Sequence, residues 1–232
     1  MRSKFLVHWT GKDLEPLAEA ERSEKYAARL KDWYQNGLFA RSVNELILRL
    51  PKPGQVDKIK MKNLARICFT EIRLSQAESH SGRYGKLGIG FTRDFIANKG
   101  GRPVFYNPWE AKSRWVEQNM WLAHERGNDE IKELLDGPLA YFKLMSNADG
   151  SEDYYEEMEW RLVHGGIFND TGTFTAGAEP DTYRVKFEAS DVSLIVVPDR
   201  EVMLRILDDN DMKQVFAAHQ PDLILLQDCI HF

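Results

Sequence analysis

Tyr154-Tyr155-Glu156-Glu157-Met158-Glu159-Trp160-Arg161-Leu162-Val163-His164, just past the midpoint of the chain, alternates in a way that suits a strand better than a helix. Successive side chains of an extended backbone point to opposite faces. Glu157, Glu159 and Arg161 then share one side, and Met158, Trp160 and Leu162 the other. On a helix the charges would scatter, with Glu157 and Arg161 still pairable one turn apart. Gly165-Gly166 and the Gly/Thr-rich segment after them stop the run as strands are commonly stopped. The expectation is a strand anchored on a core through Trp160 and Leu162. Its charged face is either a surface ladder of opposite charges or part of a site.

Upstream, Phe5-Leu6-Val7-His8-Trp9-Thr10 reads as a short strand that puts His8 and Thr10 on one face. Helical spacing of Leu14, Leu17, Tyr26, Leu30 and Trp33 predicts a helix from about Leu14 to Phe39, with Gly37 as its stop. Val43–Leu50 is apolar and periodic, and Pro51 and Pro53 are expected to close it. Ala65–Ile72 reads as a second core strand, Ser79–Gly85 as a polar loop, and Leu87–Thr92 as a strand whose glycines mark a bulge or a close approach by backbone or ligand. The single Gly-x-Gly there lacks the third glycine and the helix of a dinucleotide fingerprint. A short helix is expected near Asp94–Ala97 and a strand over Arg102–Tyr106.

A helical insert is expected at about 109–146, broken near Gly127-Asn128-Asp129. Beyond the charged strand, Tyr183–Phe187 and Val192–Val197 read as strands. A helix capped by Asp199, a second from Asp211 to His219 and the apolar Leu223–Leu226 follow, giving about 190–232 an α/β character. The whole is expected to be α+β, with mixed or antiparallel central sheets in a single domain spanning 1–232.

At 232 residues with 43% hydrophobic content the chain can bury a substantial core. A net charge of −5 does not indicate a nucleic-acid partner, although a local basic groove is compatible with it. No apolar run reaches bilayer-spanning length, and the first residues carry no secretory pattern, so no membrane and a cytoplasmic location are expected. Cys68 and Cys229 sit far apart among apolar residues and read as buried thiols. Six scattered histidines show no metal-ligand spacing.

Three pieces occur in a telling order: Val7-His8-Trp9-Thr10; then Cys68-Phe69-Thr70-Glu71-Ile72 with Tyr84-Gly85 and Gly88-Ile89-Gly90-Phe91; then Glu157-Met158-Glu159-Trp160-Arg161. Over roughly the first two thirds of the chain this resembles the AbiGi-type abortive-infection family of phage-defence systems. The resemblance implies a role in phage defence, as the antitoxin-like half of a toxin pair with a cognate partner.

A second, looser resemblance is to the ADP-ribosyltransferase fold, which implies NAD as substrate. It makes His8, Tyr84 and Glu159 catalytic, His8 holding the ribose, Tyr84 stacking on nicotinamide and Glu159 steadying the oxocarbenium-like centre. Glu157 would be a general base. NAD would be held by His8, Thr10, Arg83, Tyr84, Phe91 and Arg161, the last through bidentate bonds to a phosphate. Phe91 or Tyr106 could take the stacking place of Tyr84, and the second-strand Ser-Thr-Ser of that fold has no match. Two readings stay open: an ADP-ribosyltransferase or NAD glycohydrolase, and a non-catalytic antitoxin or regulator that acts by binding protein.

Overall fold

In the computed structural model, which describes residues 5–42, 46–52, 55–60, 64–71, 73–107, 115–146, 153–165 and 172–231, the first strand is β1, Phe5–Thr10. Leu6, Val7 and Trp9 are buried along it. Gly11 ends it at φ 103°, and a Cβ there would strike the Tyr26 ring. The helix α1 runs only from Glu19 to Asn36, because Leu14 closes a tight 3-10 turn and Pro16 has no N–H to donate to a continuing ladder. Tyr26, Leu30 and Trp33, spaced at four and three residues, are its buried stripe.

Strands β2 (Leu38–Ser42), β3 (Leu46–Lys52), β4 (Gln55–Lys60) and β5 (Ala65–Thr70) follow. Pro51 does not close β3: it lies opposite Val56 in the β3–β4 hairpin. Both strands of a two-stranded ladder are edges, where proline's missing donor is tolerated.

The polar loop expected at Ser79–Gly85 is instead a helix, α2 (Ala77–Tyr84), stopped by Gly85 at φ 108°. Ala77, His80 and Ser81 are buried at i, i+3 and i+4, a helical stripe masked in the sequence by its polar composition. Gly82 faces open space, and a Cβ on Gly85 would meet the backbone of Thr10, Gly11 and Lys12 at 2.3–2.5 Å.

Next come β6 (Leu87–Thr92), α3 (Arg93–Asn98), β7 (Arg102–Pro103), β8 (Phe105–Asn107), α4 (Trp115–Arg126), α5 (Asp129–Leu139) and β9 (Phe142–Leu144). Asn128 makes the break between α4 and α5, its side chain accepting from Ile131 N–H at 3.0 Å. The helical insert thus closes on a strand. The chain then forms β10 (Glu159–Val163), β11 (Thr175–Ala176), β12 (Thr182–Val185), β13 (Val192–Val197), α6 (Arg200–Asp208), α7 (Asn210–Ala218) and β14 (Asp222–Leu225). Asn147-Ala148-Asp149-Gly150-Ser151, whose composition predicts a turn, lies outside the described residues.

The chain divides into two compact units: Met1–Phe39, Phe69–Ile96 and Arg184–Phe232 in the first, Ala40–Cys68 and Ala97–Tyr183 in the second. In the first, β1 pairs antiparallel with β6, and β6 with β13. The two glycines of β6 face close neighbours. A Cβ on Gly88 would lie 3.0–3.1 Å from Val7 and Trp9, and one on Gly90 3.0 Å from Leu194. The close approach is therefore by adjacent strands. β13 and β14 are parallel, joined through α6 and α7, which is the α/β character expected of the C-terminal part. In the second unit β10 pairs antiparallel with β7, and β8 runs parallel to β9. The architecture is α+β with mostly antiparallel strands.

Asp199 caps α6 as expected, accepting from Val202 N–H at 2.9 Å. Asp199→Ala is expected to lower stability by about 1 kcal/mol in urea denaturation, and a change within error would show that the cap is idle.

Candidate buried charge site

Only Glu159 to Val163 of the opening stretch is strand. Tyr155–Glu157 is a 3-10 turn, and Met158 turns the chain into β10 with φ 43°. The charged face is buried rather than laid on the surface, and of the expected apolar face only part is covered. Met158 is 41% exposed and Trp160 half-buried, while Glu157, Glu159 and Arg161 are 1%, 4% and 1% exposed. Of the proposed apolar anchors, Leu162 is fully buried. The charged face turns inward because a cation on β9 meets it. Lys143 Nζ donates to Glu157 Oε2 at 2.5 Å and to Glu159 Oε2 at 2.8 Å.

Arg161 completes the cluster. Its Nε donates to Glu159 Oε1 at 2.7 Å, and its Nη1 to the Ala140 carbonyl at 2.6 Å. The Tyr106 hydroxyl accepts from Glu159 N–H at 2.8 Å. Two acids and two bases thus balance formally inside the second unit, and buried charges are tolerable on those terms. Burial opposes ionisation of Glu159, yet Arg161 and Lys143 outweigh it and hold the carboxyl well below the usual carboxylate range. Burial pushes the Cys68 thiol up to about 12, with the Glu159 charge adding to it. Neither Cys68, half-buried, nor Cys229, buried, is joined in a disulfide.

The remaining candidates lie in the first unit. The half-buried His8 ring sits 5.5 Å from that of Trp33 and 5.8 Å from that of Phe69. Thr10 Oγ1 accepts from Arg29 Nη1 at 3.1 Å. Tyr84 ends α2 half-buried, 5.6 Å from His80, and packs against the cluster of Val7, Trp9 and Leu226. Arg83 is exposed beside it. Phe91 is fully buried, stacked on Phe95 and edge-on to Phe69 and Phe187. Glu71, buried, forms an ion pair with Arg93.

Lys143 is the member that sequence reasoning passed over. Its signal was present: one lysine inside the apolar run Leu139-Ala140-Tyr141-Phe142-Lys143-Leu144 calls for a buried anion. His164 and His124 likewise had no assigned role. His164 stacks on Tyr183 with centroids 3.5 Å apart, and burial lowers its pKa. It lines a cavity of about 420 Å³ together with Ser42, Leu64, Glu133, Asp136 and Tyr183. His124 Nε2 lies 2.9 Å from Asp136 Oδ1. Among the described residues no group of histidines, cysteines and carboxylates is placed to hold a metal ion, and no helix is long and apolar enough to cross a membrane.

Chemically, the cluster is closed. Glu159 is ionised but has both oxygens engaged, so its charge is spent on Lys143 and Arg161. Residues 41–198 match the model of a family described as "Putative abortive phage resistance protein AbiGi, antitoxin". No curated protein and no solved structure matches the chain.

Proposed function

The chain belongs to the AbiGi family, and from that premise we propose that it is the antitoxin of a phage-defence pair, restraining a cognate toxin by protein–protein binding. The observation that carries this reading is the closure of the Glu157–Lys143–Glu159–Arg161 cluster. A carboxylate that stabilises a developing cation must be aimed at the place where the substrate's charge appears. Glu159 is aimed instead at two protein cations in a buried setting, where breaking a pair costs several kcal/mol. On this reading the strand supports the fold, and recognition belongs to the exposed surface.

The test is co-expression with the product of each gene that neighbours its own. The chain is expected to restore growth that the neighbour alone arrests, to copurify with it, and to leave cellular NAD unchanged when expressed alone. The NAD-using reading makes the opposite forecast. If the chain by itself depletes NAD or arrests growth, and Glu159→Gln relieves this while keeping a native circular-dichroism spectrum, the antitoxin reading is lost.

A further inference from the structure

Helices α1, α6 and α7 of the first unit enclose a groove of about 560 Å³ that the core does not fill. α6 turns Val202 and Ile206 inward, both fully buried, and leaves Leu204 49% exposed with Leu207 exposed one turn on. Leu204 joins Ala27, Ala28 and Met212 in an apolar floor. The rim is acidic, with Glu24, Glu201, Asp208 and Asp209 against Lys31 and Arg205.

Both cations are already engaged. Lys31 Nζ lies 2.8 Å from Asp209 and 2.8 Å from Asp211, and Arg205 Nη2 is 2.9 Å from Glu201. Asp208, whose side chain is 83% exposed, lies 3.9 Å from Lys213. The surplus charge of the rim is therefore negative. The groove continues along α1 from Glu24 and Ala28 into a hollow whose charges are mixed, Glu21 and Asp32 beside Lys25 and Arg29. These lining residues all fall outside 41–198, so family membership assigns the groove no role.

An apolar floor of Ala27, Ala28, Leu204 and Met212 with a net acidic rim fits a helix that presents aliphatic side chains on one face and carries bases on its flanks. Complementary rim charge then sets orientation and speeds encounter. Nucleic acid is disfavoured by the same acids. We propose that this groove docks a basic amphipathic helix of a partner protein, an inference that rests on the protein-binding reading above and names the chemistry of the partner.

The test uses the purified full-length chain and a fluorescent synthetic peptide of roughly 18 residues, about five helical turns. The peptide has leucines at helical spacing and lysines on both flanks; its twin has glutamate for every lysine. The lysine peptide is expected to bind with Kd on the order of 10 μM and roughly tenfold or more tighter than the glutamate twin, a gap that narrows with salt. Leu204→Asp, at an exposed position, is expected to weaken binding roughly tenfold with unchanged circular dichroism and Tm. Equal affinity for the two peptides, or undiminished binding by Leu204→Asp, overturns the proposal. So does sedimentation equilibrium showing a dimer that Leu204→Asp dissolves, since the occupant would then be a second copy. No toxin enters these measurements: peptide binding that fails while growth rescue succeeds removes the groove proposal alone, and the converse removes the antitoxin reading.

Discussion

Arg161→Ala is expected to lower the free energy of unfolding by about 3–5 kcal/mol, well beyond the loss expected from removing an exposed charge. Arg161 is 1% exposed and is shielded from water. Its removal leaves the Glu159 carboxylate, among the described residues, with Lys143, which must also serve Glu157. It also strips a charged donor from the Ala140 carbonyl, and unmade buried hydrogen bonds cost more than made ones contribute. Arg161→Lys keeps the charge but replaces a planar fork by a point donor, which cannot reach Glu159 and Ala140 in the same geometry. Its loss should lie between zero and that of alanine. The measurement is urea denaturation of the three proteins at pH 7. A loss below about 1 kcal/mol for Arg161→Ala, the range of an exposed pair, would mean that the cluster is open to solvent.

Most of the elements were legible because apolar periodicity was unbroken. β1, β5, β6 and β13 and the stripe of α1 follow patterns that burial alone enforces. α2 was hidden because its buried stripe is Ala77, His80 and Ser81, residues that hydropathy counts as polar or neutral. The opening stretch was legible in its period and in its Leu162 anchor, but not in the burial of its charged side. Period two says which side chains share a face but not which face is inside. That choice depended on Lys143, brought alongside by β9 from 14 and 16 residues upstream of Glu157 and Glu159. A charge pattern that looks like a solvated ladder becomes a core when a distant element delivers the compensating charge. Glu157, Glu159 and Arg161 stood out in the sequence and Lys143 did not; whether their charges faced water was decided by tertiary pairing.

The same pairing fixes the response to acid. The Glu159 carboxyl has an ordinary value of 4.5 and is held below it in the folded chain, since Arg161 and Lys143 outweigh the cost of burial. The unfolded state therefore binds a proton more readily than the folded state, and stability rises with pH across the interval between the two values. The contribution of Glu159 is complete above about pH 5.5, declines once pH falls below the unfolded value, and is gone below the folded one. A salt-bridged carboxylate of this kind is worth about 2–3 kcal/mol at neutral pH. Glu159→Gln keeps the shape of the side chain and removes the titration. The expected result is a variant less stable than the parent at pH 7, with the difference shrinking by about 2–3 kcal/mol between pH 7 and pH 2.5. Acids outside the cluster contribute equally to both proteins and cancel in that difference, so urea midpoints of the pair across this range report Glu159 together with Glu157, which shares Lys143 with it. Parallel curves would mean that Glu159 is as free in the folded chain as in the unfolded one, and would return the charged strand to the solvent-facing ladder that its sequence first resembles.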